Sequence, residues 1–552
     1  MSWFHRCQNW RSSVQWARRI VWGGIQPGVG PAFGGGLVQG WDGAHGYRGA
    51  RRVLLALVGG AFAARTVALW LTRPEFTGWF NHTYYYWVQT RGLLEEGVLP
   101  YTDLPLLFHL YASIARLLGL LGLDMASSII NASRLVMCLV PALLVLPAYV
   151  GLRRIHGSQP LDAWAWALVG VAAFLPLTFV HMPELLQKNM LGMLLLASLM
   201  VAVFVRRAVL GVLMFAAIAF THFGTLAVSV LAMFAWIVAV IVERRNPRQA
   251  FAMTAVGMGV AIVAALVLAV LDEDALVRLA TFARSGLENS LFGMLVGAGS
   301  LGERLTALAG IVGPAAVAVA LTRVWSRHRA ALDRSDREFW LANIIFAWAL
   351  VAPVFSLDAV PRLLLFMPLP LLFVLAYQLR HGTATRLHRL LVSAAVAGCT
   401  LMLVGETVSL AVMNRDREDI HAALRELRER HALTEGDLVI TEYGVNTISN
   451  WFLGTRASLI TSVRREDFGS PGRVFVLIPA GGHPPGASDG EGDESRFVTP
   501  AERYQAMRQR IRLPASLPPL GEYPTLALYR LDATPENWTF DVAGRWLGWR
   551  LD

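Results

Sequence analysis

Charged residues are scarce in this 552-residue chain: Asp, Glu, Lys and Arg make up 16% of it, while 55% is hydrophobic. Soluble chains carry roughly 25% charge, so most of this surface cannot face water and a soluble enzyme is excluded. Lysine is nearly absent, Lys188 being the only one in a total of 49 Lys plus Arg. The arginines lie in short clusters between apolar runs, so the net charge of +10 marks membrane topology, not a nucleic-acid surface. Cysteine is also sparse. Two of the three, Cys138 and Cys399, sit inside apolar runs, and with Cys7 they form no disulfide framework, zinc spacing or nucleophile signature. No Rossmann or P-loop fingerprint occurs, and no internal repeat of the transporter kind.

What the chain has instead is a series of apolar runs of about 18 to 24 residues, the length a helix needs to cross a hydrocarbon core. They predict spans at about 53–71, 128–150, 163–180, 185–205, 209–224, 225–242, 250–271, 305–322, 339–356, 361–379 and 390–412. The run 104–122 is left out of these eleven by the positive-inside rule. Without it, Arg51–Arg52, Arg153–Arg154, Arg206–Arg207, Arg244 to Arg248, Arg323 to Arg337 and Arg380 to Arg389 all fall on the cytoplasmic side. Residues 104–122 then read as an amphipathic helix on the outer membrane surface, with Pro105 near its start and His109, Tyr111 and Arg116 interrupting its apolar face. Long outer loops remain at 72–127 and 272–304.

The ends differ in composition from this membrane region, 51–413. Residues 1–50 are Gly-rich and basic, with six glycines between Gly28 and Gly40, and read as a disordered cytoplasmic arm. No cleaved signal peptide is expected there. Residues 414–552 read as a small extracytoplasmic α/β domain. A helix is predicted over Asp416 to His431, strands at Leu438–Thr441, Val474–Ile478 and Thr525–Leu531, and a second helix from Thr499.

The most informative stretch is the first outer loop, which runs Trp79-Phe80-Asn81-His82-Thr83-Tyr84-Tyr85-Tyr86 and later Gly97-Val98-Leu99-Pro100-Tyr101-Thr102-Asp103-Leu104-Pro105. It resembles the first external loop of the GT-C superfamily, membrane glycosyltransferases that use polyprenyl-phosphate-linked sugars. There an acidic or amide residue lies a few positions before a Tyr, and a G-x-P-Y-x-D-x-P-like run enters a juxtamembrane helix. In organisation the resemblance spans about residues 53–480. The chain departs from the family by carrying Asn81-His82 where many members have the first-loop catalytic Asp, which moves the expected base to Asp103.

Such a reaction needs a carboxylate to take a proton from the acceptor hydroxyl and cations to balance the departing phosphate. Asp103, near His82 and Arg91, supplies the first; its plainer reading is a cap on the helix starting at Pro105. Glu184 and Lys188 are four apart and share a helix face at a bilayer boundary, where a charge is costly unless it lines a cavity. Lys188 then meets the donor phosphate and Glu184 orients it; the alternative is an ion pair that sets helix depth. Arg278, Arg284 and Arg362 are further phosphate candidates, against solvated or snorkelling roles. Asn81, Tyr84, Arg91, Tyr101 and His222 are candidate substrate contacts and His82 a further catalytic candidate, against an ordinary polar residue; Tyr84, Tyr85, Tyr86 and Trp87 read equally well as an interfacial aromatic belt. Asp272, Glu273 and Asp274 could attract a divalent cation, though a solvated helix end accounts for them, and no metal site is assigned.

The expectation is therefore an all-α polytopic protein of the plasma membrane with a GT-C-like bundle. It would move a hexosyl or pentosyl group from a polyprenyl-phosphate donor to a glycan, lipid or protein acceptor at the outer face, with membrane lipids as partners and no nucleic acid. The rivals are a lipid or solute transporter and a non-catalytic GT-C relative.

Overall fold

A computed structural model of the chain describes residues 44–72, 82–101, 103–157, 159–174, 187–244, 301–352, 363, 365–381, 386–414, 418–441, 445–459, 463, 473–479, 520–523, 526–531, 538–540 and 546–549. Its helices are α1 (Ala44–Thr72), α2 (His82–Glu95), α3 (Leu106–Leu120), α4 (Met125–Ala142), α5 (Val145–His156), α6 (Ala163–Phe174), α7 (Gln187–Phe204), α8 (Ala208–Ala219), α9 (Phe223–Arg244), α10 (Leu301–His328), α11 (Arg334–Leu350), α12 (Pro368–His381) and α13 (Arg386–Asn414). Among the described residues, four stretches are long and apolar enough to cross a membrane: Gly49–Thr72, Met125–His156, Gln187–Phe204 and Phe223–Arg244. Large apolar side chains stand exposed on the bundle's outside, Trp70 at 77% and Leu401 at 73%. Water would not tolerate that surface, whereas acyl chains match it.

Most of the predicted runs therefore contain helix, and the span expected at 250–271 lies outside the described residues. Two boundaries differ. The span expected at 128–150 is two helices broken at Leu143–Leu144, between Pro141 and Pro147, each of which removes a backbone donor. α1 begins at Ala44, inside the stretch expected as a disordered arm, because extending an existing helix gains one hydrogen bond for each residue fixed.

The arginine clusters gather at one edge of the bundle. Arg244 grips Glu338 at 2.5 and 2.7 Å, and Arg337 and Arg329 meet Glu243 at 2.9 and 3.2 Å, which ties the end of α9 to the start of α11. The chain reverses there from α7 to α8 in a tight turn that puts Arg206 at φ 58°, the left-handed region.

Asp336, at the same edge and outside the span predicted at 339–356, is 4% exposed. It accepts from Tyr377 Oη at 3.3 Å and has Arg154 at 3.9 Å. Burial first, and then the neighbouring Asp333, push its carboxyl up to about 6, against the attraction of Arg154 and Arg380. Because the folded value lies above the unfolded one, the stability this group contributes is present below about pH 4 and lost as pH rises through 6. Asp336→Asn is therefore expected to melt a few degrees higher than the wild type at pH 8. The gain corresponds to roughly 2 kcal/mol and shrinks to nothing by about pH 4. A pH series of thermal melts in detergent checks this; a gain that does not change with pH would rule out ionisation as its cause.

The carboxyl-terminal segment builds α14 (Glu418–His431), β1 (Leu438–Thr441), α15 (Val445–Leu453), β2 (Arg456–Leu459), β3 (Val474–Pro479), β4 (Gly521–Tyr523) and β5 (Leu526–Leu531), followed by the hairpin pair β6 (Trp538–Phe540) and β7 (Trp546–Trp549). The five-stranded sheet has the order β2-β1-β3-β5-β4, with β1 parallel to both β2 and β3 and β5 antiparallel to β3 and β4. α15 is the crossover between the parallel strands β1 and β2, as a parallel pair requires. Leu438 to Thr441 are buried, which fits a central strand covered on both faces. The helix expected from Thr499 lies outside the described residues.

Candidate functional site

The site is organised by α2, whose faces, about 100° apart per residue, serve different neighbours. Tyr84, Trp87 and Arg91 form the face toward the carboxyl-terminal segment. Tyr84 Oη pairs with His421 Nε2 at 2.6 Å, Trp87 packs on Trp451 with ring centroids 5.3 Å apart, and Arg91 donates to the Asn450 side-chain and backbone oxygens at 2.7 and 3.1 Å. Tyr86, Thr90 and Leu93 lie on a second face, from which Tyr86 and Leu93 pack with Phe108 and Tyr111 of α3. Tyr85, Gln89 and Gly92 face the strand-less stretch that leads to Asp103.

Along that third face, Gln89 Nε2 donates to the Tyr101 carbonyl at 2.7 Å and to Tyr85 Oη at 3.0 Å, while Gln89 Oε1 accepts from the Tyr101 N–H at 2.8 Å. Tyr101 stacks on Tyr85, and its hydroxyl reaches the Ala457 carbonyl of β2 at 3.5 Å. Tyr85 Oη donates to Asp103 Oδ2. Burial first, and then the Asp103 charge, hold this phenol well above its usual range, so it stays protonated as a donor.

Asp103 Oδ2 also takes Lys188 Nζ, the first-turn cation of α7, in a direct ion pair. The two residues are 85 apart in sequence. The Lys188 ammonium lies 4.7 Å from the Phe108 ring centroid, a cation–π contact that helps hold it in a nearly closed position. Next to it on α7, Gln187 Oε1 accepts from Tyr111 Oη at 2.5 Å, and its Nε2 donates to Met137 Sδ at 3.2 Å. α2, α3, α4 and α7 thus converge on one carboxylate and one ammonium. α7 runs from Lys188 toward the basic edge over 18 residues, about 27 Å, so the pair sits at the opposite end of the bundle from the arginines.

The residues expected at the site fall into three groups. Asp103, Lys188 and Tyr101 are brought together. Tyr84, at 1% exposure, and Arg91 make their described contacts with α14 and α15. His222 precedes α9, and its Nδ1 accepts the Thr225 N–H at 3.2 Å, a helix-capping geometry. Asn81, Glu184, Arg278, Arg284 and Arg362 lie outside the described residues, as does the acidic run Asp272 to Asp274; His82 opens α2, and its side chain is likewise not described.

Asp103 does not cap α3. Pro105 is the N-cap, the Leu106 N–H finds the Phe220 carbonyl at 3.1 Å, and Asp103 Oδ1 accepts from the adjacent Leu104 N–H at 2.7 Å. The buried aromatics of α2 are packing residues and not a belt at the membrane surface. Sequence reasoning missed Gln89 and Gln187. The available signal was a carboxamide directly after an apolar pair, Trp87-Val88 in one case and Leu185-Leu186 in the other. Among the described residues no three or more His, Cys, Asp or Glu side chains gather so as to hold a metal ion.

No protein-family model matches the sequence, and no curated protein does. Solved structures share its fold. ArnT from Cupriavidus metallidurans bound to undecaprenyl phosphate superposes with a TM-score of 0.53 at 12% identity, over 88% of this chain and 98% of that one. The apo state of the same ArnT gives 0.49 at 12% identity over 88% and 99%. The chain thus shares the fold of that ArnT, and its described residues include four stretches long and apolar enough to cross a membrane.

Proposed function

We propose that this chain is a membrane glycosyltransferase that moves a sugar from a polyprenyl-phosphate donor to an acceptor at the outer face, with Asp103 and Lys188 at its centre. The observation that carries the reading is their ion pair, set at the end of the bundle away from the arginines in a fold shared with an ArnT structure that holds undecaprenyl phosphate. The arginine-rich edge is then cytoplasmic by the positive-inside rule, and the carboxyl-terminal sheet forms an extracytoplasmic α/β domain docked on α2.

In the reaction the acceptor oxygen attacks the anomeric carbon while the bond from that carbon to the phosphate oxygen breaks. Both electrons of that bond stay on the phosphate, the hydroxyl proton passes to Asp103, and a single displacement inverts the anomeric centre. Lys188 balances the charge that grows on the leaving phosphate. At rest, however, the Lys188 ammonium and the Asp103 carboxylate hold each other, and Asp103 Oδ2 faces the ammonium instead of an acceptor. The donor phosphate takes Asp103's place on Lys188, and its arrival frees the base. Tyr85 remains as the second donor to Asp103 and keeps it in position during the exchange.

The test is sugar release from a panel of labelled polyprenyl-phosphate hexoses and pentoses by the purified protein in lipid nanodiscs. Transfer or slow hydrolysis with at least one donor is expected. Specific binding of a lipid without release would favour a non-catalytic relative, and movement of intact lipid-linked sugar across a vesicle membrane would favour a transporter.

A further inference from the structure

Asp103 occupies a segment with no helix or strand of its own, between the end of α2 and the start of α3. Yet a base must be held to within a fraction of an ångström, since a 1 Å displacement costs about a hundredfold in rate. Something outside the segment has to fix it. The backbone N–H and C=O of Tyr101, two residues before Asp103, would in open water exchange partners freely; here both are taken by one side chain, Gln89, which is 0% exposed. A carboxamide can donate to a residue's C=O and accept from the same residue's N–H at once. Its remaining hydrogen goes to Tyr85 Oη, whose own hydrogen goes to Asp103. One side chain therefore holds Asp103 by two routes, through the backbone of Tyr101 and through the Tyr85 hydroxyl.

A second, independent feature fastens the same stretch to the same face. At Gly92, three residues after Gln89, a Cβ atom would stand 2.3 Å from Pro100 Cγ. Only glycine lets the Pro100 ring lie this close to α2, and a proline ring cannot swing away as a flexible side chain would. Gln89 and Gly92 thus act as neighbouring anchors, one polar and one steric, for residues 100 and 101.

We propose that Gln89 is the positioning residue of the site: it grips the Tyr101 peptide and the Tyr85 hydroxyl, and so sets where Asp103 stands relative to Lys188. The role in turnover rests on the glycosyltransferase reading, whereas the grip itself does not. Gln89 touches no reacting atom; it acts through Tyr85 and the backbone.

The experiment compares wild type, Gln89→Leu, Gln89→Glu and Thr90→Val in nanodiscs. Thr90→Val serves as the control, removing a buried polar group from the α2 face turned toward α3. Two readouts need no substrate. Amide hydrogen exchange at Tyr101 is expected to quicken by about tenfold or more in Gln89→Leu and to stay unchanged in Thr90→Val. Acylation of Lys188, the only ε-amine, by a water-soluble amine reagent is expected to quicken in Gln89→Leu as Asp103 drifts from it. Two further readouts use the donor that wild type turns over. In Gln89→Leu kcat is expected to fall by about ten- to a hundredfold with KM nearly unchanged. Gln89→Glu is expected to regain activity as pH falls, because a protonated carboxyl again donates; a merely structural defect would not produce that profile.

Unchanged exchange at Tyr101 would overturn the grip. Faster exchange with wild-type kcat and pH profile would overturn its role in positioning Asp103. Absence of turnover by wild type counts against the glycosyltransferase reading, while the exchange and acylation results still decide whether Gln89 holds the segment and Asp103.

Discussion

Asp103→Asn is expected to turn over a lipid-phosphate sugar at least about a hundredfold more slowly than the wild type and at the same time to bind undecaprenyl phosphate more tightly. The loss in rate is the scale for removing a general base. The gain in affinity follows from the resting ion pair, because the donor phosphate and the Asp103 carboxylate compete for the same ammonium. Asparagine keeps the shape, and its one amide oxygen can still accept from either Tyr85 or the Leu104 N–H, but it no longer neutralises Lys188. A hydrogen bond to a charged group is worth about 1.5–3 kcal/mol, so the affinity for undecaprenyl phosphate rises by roughly tenfold or more. Single-turnover kinetics with the active donor and equilibrium binding of undecaprenyl phosphate measure the two sides separately. Opposite movements are the signature. A variant that binds more weakly would mean that Asp103 supports the anion site instead of filling it, and preserved turnover would move the base elsewhere, Glu184 being the next carboxylate in sequence reasoning.

Lys188→Met is expected to have the second large effect, a loss of undecaprenyl phosphate binding by about a hundredfold or more, since truncating one partner of a buried charge pair costs 2–5 kcal/mol. Methionine has nearly the length of lysine and can remain against Phe108, so the change is mainly one of charge. The substitution also leaves Asp103 without that partner, and some loss of folded protein is expected. The double variant Asp103→Asn/Lys188→Met separates these effects. It should recover the thermal stability lost in the single variant without recovering binding, as a double-mutant cycle on a directly paired couple requires. Recovery of binding in the double variant would show that Lys188 is needed for Asp103 alone and not for phosphate.

The sequence made part of this visible and hid the rest for definite physical reasons. Apolar runs announce spans because lipid leaves backbone groups no other partner, and α1, α4, α7 and α9 lie where those runs stand. Asp103 and Lys188 were each picked out, one by the loop motif and one as an isolated cation at a bilayer boundary. Their meeting was not visible, because helical periodicity relates residues three or four apart and says nothing of two 85 apart. The i,i+4 rule offered Glu184 as the neighbour of Lys188, yet Asp103 approaches from another helix pair.

The helix within the first loop was not legible in the sequence for one reason. Residues 82–95 carry three tyrosines, a tryptophan, a valine and two threonines, types that form helices reluctantly, and so the stretch read as loop and its faces were not sorted. Once it is a helix, the spacing 84, 87, 91 separates from 85, 89, 92, and Tyr84 and Arg91 part company with Gln89. Tertiary packing decided the helix here, with Tyr84, Tyr86, Trp87 and Val88 all buried.

The seclusion of Lys188 gives the molecule an unusual transparency. In most proteins an amine-directed label scatters over many exposed lysines; here it has one side-chain target, and that target is shielded at rest by a carboxylate and a phenyl ring. Acylation at Lys188, located by mass after digestion so that the α-amine is counted apart, therefore reports how often the ion pair stands open. The chain carries its own reporter at the place where its chemistry is proposed to occur, without an added probe or a substrate of known identity.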